Sequence, residues 1–172
     1  MSKRIGGRGW EDSKTPALSD DQARMLLQAP QGDGIKAVRD RAILATYLFH
    51  ALRRSEPAGL TVGSMAERRG VMHFTVLGKG SKTRYVPIHP AALAAIDEYL
   101  ELAEHREDRK GPLFRPLRNN RTGVLDGAIT GDGVYKMAKG YAAKAGVHVD
   151  GLWRIERCPA DRALAGWWGG NA

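Results

Sequence analysis

The chain has 172 residues, with 27 Lys and Arg against 19 Asp and Glu and a net charge of +8. This length suits one domain with or without irregular ends, and a 42% hydrophobic content excludes a disordered chain. The single cysteine, Cys158, excludes an internal disulfide framework and a cysteine-based zinc site, and the polar Met1–Lys14 segment and short apolar runs predict neither leader nor membrane span. The expectation is therefore a soluble cytoplasmic protein without a metal or cofactor, whose positive charge points to a polyanionic partner.

Residues 1–17, with Gly6, Gly7, Gly9 and Pro16, read as a tail or linker. Ser19 is a good N-cap and Gln22 completes a capping-box pattern, so a helix is predicted from Asp20 to about Ala29, stopped by Pro30. A second helix is predicted over Ala37–Ala51. Ile43, Leu44, Tyr47 and Leu48 form its apolar face, and Arg39, Asp40 and Arg41 its polar start. Ser55, Pro57 and Gly59 predict one short helix.

The period then changes. Val71–Leu77 and Thr83–Ile88 are rich in β-formers and flank Gly78-Lys79-Gly80-Ser81-Lys82, which predicts a β-hairpin. Pro90 opens a helix with Leu93, Ile96, Leu100 and Ala103 on its apolar face. Residues 106–127 read as loop with a short extended piece at Leu113-Phe114. A last helix from near Thr130 carries Val134, Met137, Ala138, Tyr141, Ala142 and Ala145 and stops at Gly146. Residues 151–172 hold Trp153, Trp167, Trp168 and Cys158 without any period.

Two segments carry chemistry. In Ala51-Leu52-Arg53-Arg54-Ser55-Glu56, a helix end meets a short turn, and an arginine at such a corner presents a donor fork that fits phosphate oxygens. The same spacing also fits a plain surface ion pair between Arg53 and Glu56. In the second, Gly78 and Gly80 flank Lys79, with Lys82 and Arg84 on the same ribbon. Glycines let such a loop approach a ligand closely. It is not a Walker loop, because a strand follows it and the Gly-Lys-Ser/Thr ending is absent. An exposed hairpin kept soluble by lysine is the simpler alternative.

In order, these segments resemble the catalytic domain of the tyrosine recombinases, or phage integrase family. His50-Ala51-Leu52-Arg53-Arg54-Ser55-Glu56-Pro57 is similar to that family's Thr-Gly-Leu-Arg-x-x-Glu-Leu motif. Gly78-Lys79-Gly80-Ser81-Lys82-Thr83-Arg84-Tyr85-Val86-Pro87-Ile88 is similar to its lysine hairpin. The resemblance covers about Leu18–Val149. It implies that Arg53 holds the scissile phosphate and that Lys79 protonates the leaving 5′ oxygen as general acid. It further implies that Glu56 positions, and that Arg54, Lys82 and Arg84 bind DNA along its backbone. Arg53 and Lys79 are expected to converge on one cleft with Lys82 and Arg84 on its rim.

The departures matter equally. The resemblance implies a second box near His-x-x-Arg after the last helix, then a tyrosine nucleophile forming a 3′-phosphotyrosyl link. Here His148 is followed three residues later by Gly151, and the last tyrosine is Tyr141. Tyr135 and Tyr141 read as helix packing, so no nucleophile is assigned. The family's N-terminal helical clamp has no counterpart in residues 1–17. Residues 151–172 have the composition of coding read out of frame, or of a divergent tail that packs its tryptophans on the core.

The expected organisation is a tail at 1–17, a partial catalytic domain at 18–150 and an atypical tail at 151–172. The expected fold class is α+β, mainly helical, with a small antiparallel hairpin and an incomplete C-terminus. That incompleteness predicts exposed apolar faces on the helices at 93–103 and 134–145. The expected function is site-specific DNA recombination or integration by a catalytically incomplete fragment. The alternatives are a non-catalytic DNA-binding remnant of a mobile-element integrase and an inert fragment. The expected partners are duplex DNA and full-length recombinase subunits.

Overall fold

The computed structural model describes residues 18–50, 52–53, 55–78, 82–118 and 122–147. Arg54, Lys79, His148 and the segments 1–17 and 151–172 lie outside these described residues.

Helix α1 spans Asp20–Gln28 and starts at Ser19. The Gln22 N–H donates to the Ser19 hydroxyl at 3.2 Å, and the Ser19 N–H donates to the Gln22 side chain at 2.9 Å. This reciprocal cap is local, so the sequence alone specifies it. Helix α2 spans Ile35–His50, α3 spans Pro90–Leu102 and α4 spans Gly131–Lys144. Thr130 caps α4 through the Gly133 N–H at 3.0 Å.

Three strands, β1 (Met65–Arg68), β2 (Val71–Leu77) and β3 (Thr83–Pro87), form an antiparallel sheet in that order. The predicted hairpin is β2–β3. Strand β1 is an addition, because Met-Ala-Glu-Arg carries no β preference of its own and becomes a strand only by pairing with β2. Arg69 and Gly70 turn the chain between them, with φ of 54° and 79°. Phe74 and Val76 of β2 point inward and are buried, while Val71 and Leu77 are exposed.

Two further expectations are corrected. The short helix is a 3-10 turn at Pro57–Gly59 whose N-cap is Glu56, not Ser55. Leu113 and Phe114 are buried core residues rather than a strand, held by a Leu113 N–H to Leu60 carbonyl bond of 2.8 Å. The strands of that region are β4 (Leu117–Arg118) and β5 (Thr122–Val124).

Helix α2 is the axis of the molecule, packed against α1, α3 and α4. Its predicted polar start is buried: Arg39 is 3% exposed and Asp40 0%. Arg41, the third residue of that start, stays partly exposed and pairs with Glu98, but Arg39 and Asp40 face the packed side, where their charges must be paired internally. Asp40 accepts from Lys36 Nζ at 2.7 Å, from Arg39 Nη2 at 2.7 Å and from the Tyr141 hydroxyl at 2.9 Å. Arg39 also donates to the Arg115 carbonyl at 3.3 Å. The apolar faces expected to lie open are covered at their centres, while Leu93, Ala103, Met137, Tyr141 and Ala145 stay half-buried. Ile96, Tyr99 and Leu100 of α3 join the core with Ile43 and Phe74, and Ala138 and Ala142 of α4 join Leu18, Leu26, Leu44 and Leu48. Each large apolar side chain buried this way contributes roughly 1.5–3 kcal/mol.

Replacing Asp40 with Ala strands the Arg39 guanidinium inside the core. The expected destabilisation is about 3–5 kcal/mol, read as a lower denaturant midpoint. An unchanged midpoint would remove Asp40 from its structural role.

The same cluster sets a pH dependence. Burial pulls the Lys36 ammonium pKa down, but its hydrogen bonds to Asp40 and Tyr141 outweigh burial and leave it above its usual 10.5. Burial raises the Tyr141 phenol above 10.0, and the Asp40 charge raises it further. Tyr99 is shifted the same way, chiefly by burial. The folded state therefore binds these protons more tightly than the unfolded chain. Their stabilisation is complete below about pH 10 and is lost as pH rises through the folded values. The unfolding midpoint should fall above about pH 10, and more shallowly in Lys36→Met/Tyr141→Phe. An identical alkaline profile in that variant would exclude this cluster as the cause.

Candidate nucleic-acid interface

The end of α2 forms the first half of the site. His50, its last residue, accepts the His89 N–H on Nε2 at 2.9 Å, which assigns the remaining proton to Nδ1. Nδ1 then donates to the Thr46 carbonyl at 2.9 Å, and the ring lies edge-on to Phe74. His50 thus ties the helix end to the β3–α3 junction. Leu52 is buried beyond it, and the chain turns outward at Arg53.

Glu56 closes this corner. The Arg53 N–H donates to Glu56 Oε2 at 2.7 Å, and the Glu56 N–H donates to the Arg53 carbonyl at 2.9 Å. The Glu56 side chain is only 5% exposed, whereas that of Arg53 is 63% exposed. A carboxylate held that deeply needs cationic partners. It has Arg84 Nη2 at 2.7 Å and Arg53 Nη1 at 3.5 Å. The Arg53–Glu56 pair read from the spacing exists, but its acid is not on the surface.

The ribbon supplies the second half. Gly78 donates its N–H to the Lys82 carbonyl at 2.8 Å, closing the base of the β2–β3 turn. A Cβ on Gly78 would meet the Lys82 carbonyl at 3.3 Å and Arg53 Nη1 at 3.9 Å, so this base lies beside the guanidinium. Lys82 is exposed there. The structure therefore brings together Arg53, Glu56, Gly78, Lys82 and Arg84, while Lys79 and Arg54 lie outside the described residues. Two guanidiniums share one carboxylate, which leaves a surplus positive charge at Arg53 and Lys82.

The arrangement is open. A cavity of about 490 Å³ lies elsewhere, lined by Lys36, Arg39, Met137, Gly140, Tyr141 and Lys144. An exposed guanidinium beside a lysine-bearing ribbon suits the backbone of an extended polyanion better than an enclosed small molecule. Tyr141, read from sequence as packing, sits against Asp40. Asp40 lies ten residues before the end of α2 at His50, roughly 15 Å of helix, so Tyr141 is remote from the corner that follows that end. Sequence reasoning missed the Lys36–Asp40–Tyr141 cluster; its one local signal was the Lys36/Asp40 spacing of a helical ion pair. Among the described residues no helix is long and apolar enough to cross a membrane, and no group of His, Cys, Asp and Glu could hold a metal ion.

The family model described as the Phage integrase family matches residues 16–148. The chain belongs to this family. This phage integrase family chain is 38% identical over 104 residues to the tyrosine recombinase XerC of Pelobacter propionicus, a match covering 60% of the chain and 33% of that protein. It is 37% identical over 113 residues to the tyrosine recombinase XerD of Shewanella oneidensis, covering 61% and 37%. The chain thus spans about a third of the length of these curated relatives. Among solved structures, the XerA recombinase gives a TM-score of 0.58 at 22% identity, covering 82% of the chain and 47% of XerA. The XerH site-specific recombinase bound to difH substrate in a pre-cleavage complex gives 0.60 at 19% identity, covering 80% and 39%. At these identities the likeness is one of fold: the α+β architecture is that of the tyrosine recombinases.

Proposed function

We propose that this chain serves site-specific DNA recombination as the phosphate-holding part of a recombinase centre, and that by itself it binds duplex DNA without cutting it. The observation that carries this reading is the Arg53 guanidinium, held on the buried Glu56 yet 63% exposed beside the ribbon base. Family membership supports it.

In this proposal Arg53 grips the scissile phosphate and stabilises its charge in the transition state. Lys79 is the general acid toward the leaving 5′ oxygen. Arg54 and Lys82 hold neighbouring phosphates, and Glu56 positions Arg53. The attacking oxygen has no assigned residue in this reading: Tyr141, the last tyrosine of the 172 residues, donates to Asp40. Phosphate-stabilising groups alone do not begin a displacement. Full-length recombinase subunits are the partners that would supply that oxygen.

Binding to short duplexes should be weak, with a Kd on the order of 10⁻⁴–10⁻⁶ M at physiological salt, little sequence preference and steep salt dependence. Arg53→Ala should weaken it about tenfold and reduce the log–log salt slope by about one. A nicked suicide substrate should give no covalent adduct with the purified chain. A covalent band lost in Arg53→Ala would overturn the non-cutting part, and salt-independent or absent binding would overturn the whole reading.

A further inference from the structure

We propose that Arg84 is a positioning residue of the phosphate corner: it takes up the charge of Glu56 so that the Arg53 guanidinium stays turned outward, and it does not itself contact DNA. The part of this that concerns DNA rests on the function proposed above; the part that concerns Arg53 does not.

The register of the sheet is the first argument. Arg84 pairs with Val76, and Val86 pairs with Phe74. Val76 and Phe74 are the inward residues of β2, so Arg84 leaves the ribbon on its packed side rather than on the side of Tyr85 and Thr83. From there it reaches a residue 28 positions earlier in the chain.

The second argument is how the two cations divide one acid. Arg84 approaches Glu56 at 2.7 Å, a charge-assisted hydrogen bond of full strength, while Arg53 stands at 3.5 Å, the outer limit of such a bond. The arginine with the shorter contact is also the less exposed, at 39% against 63%. Arg84 is thus the counter-ion of Glu56, and the Arg53 side chain is nearly spare. Its backbone N–H, bonded to the same carboxylate at 2.7 Å, fixes the corner independently of its guanidinium.

The third argument is what removal would do. Without Arg84, a carboxylate that is 5% exposed keeps one weakly placed cation. Burial makes an under-paired charge costly, so Glu56 should draw Arg53 inward and shorten the 3.5 Å contact. The open guanidinium would then be spent inside the protein. At Gly78 an added Cβ would crowd the Lys82 carbonyl at 3.3 Å, while the Arg53 guanidinium would lie at ordinary contact distance, 3.9 Å.

The test is a suppressor experiment on the full chain. Phenylglyoxal labelling of Arg53, followed by mass spectrometry, reads its exposure without DNA. Arg84→Met, which keeps the aliphatic stem, should slow labelling of Arg53 several-fold. Adding Glu56→Gln, which keeps an acceptor for the Arg53 N–H but removes the charge, should restore it. Duplex affinity should follow: about a tenfold loss in Arg84→Met and recovery in Arg84→Met/Glu56→Gln. A merely structural loss would loosen the corner and leave Arg53 labelling unchanged or faster, so slower labelling in Arg84→Met is the readout that separates the two. If Arg84 contacts phosphate instead, Arg53 labelling will not change, Glu56→Gln will not rescue affinity, and Arg84→Met will subtract about one from the salt slope in an Arg53→Ala background. Any of these results overturns the proposal. Wild-type chain that fails to bind DNA, with labelling behaving as expected, would overturn the function and leave the role of Arg84 standing.

Discussion

A carboxylate removed from water must find its counter-charges inside the protein, and this chain meets that constraint at Asp40. At 0% exposure, Asp40 gathers Lys36 and Arg39 from its own helix and Tyr141 from α4. Arg39 passes the connection on to the Arg115 carbonyl, and the Arg115 N–H in turn donates to the Tyr99 hydroxyl of α3. The packing of α3, α4 and the 105–118 segment around α2 is thereby oriented by a single buried charge. Apolar contacts supply the bulk of the stabilisation, but they are tolerant of small rotations; a set of hydrogen bonds to one carboxylate is not.

The far end of α2 repeats the device for a different purpose. Glu56 is again a nearly buried acid fed by cations from separate elements, Arg53 from the corner and Arg84 from β3. At Asp40 every partner is bonded at full strength, between 2.7 and 2.9 Å. At Glu56 the partners are unequal, and one guanidinium remains in solvent. A buried network with a surplus of positive charge at its edge holds an arginine at its root, through the Arg53 N–H, and leaves the guanidinium turned to solvent.

Much of this was legible in the sequence because it is local. The Ser19–Gln22 box, the stop at Gly146 and the β-formers around Gly78–Lys82 act over a few residues, and the structure follows them. What was not legible is what depends on partners far along the chain. Arg39 and Asp40 look like a solvated helix start until Arg115 and Tyr141 arrive, 76 and 101 positions away. Strand β1 has the side chains of a helix and is made a strand by its neighbour. At the site, spacing named Arg53 and Glu56 as partners, and the motif named Arg84 as a phosphate contact. Only the fold reveals that Arg84 approaches Glu56 more closely than Arg53 does.

The openness of the Arg53 corner bears on what can compete for it. A single small anion gains one or two exposed contacts there and loses its translational freedom for them, an exchange that leaves little net affinity. A chain of anions loses that freedom once, and each further phosphate reaches Lys82 or a neighbouring cation at a high effective concentration. Inhibition at this surface should therefore scale with the length of the competing polyanion rather than with the chemistry of any one group.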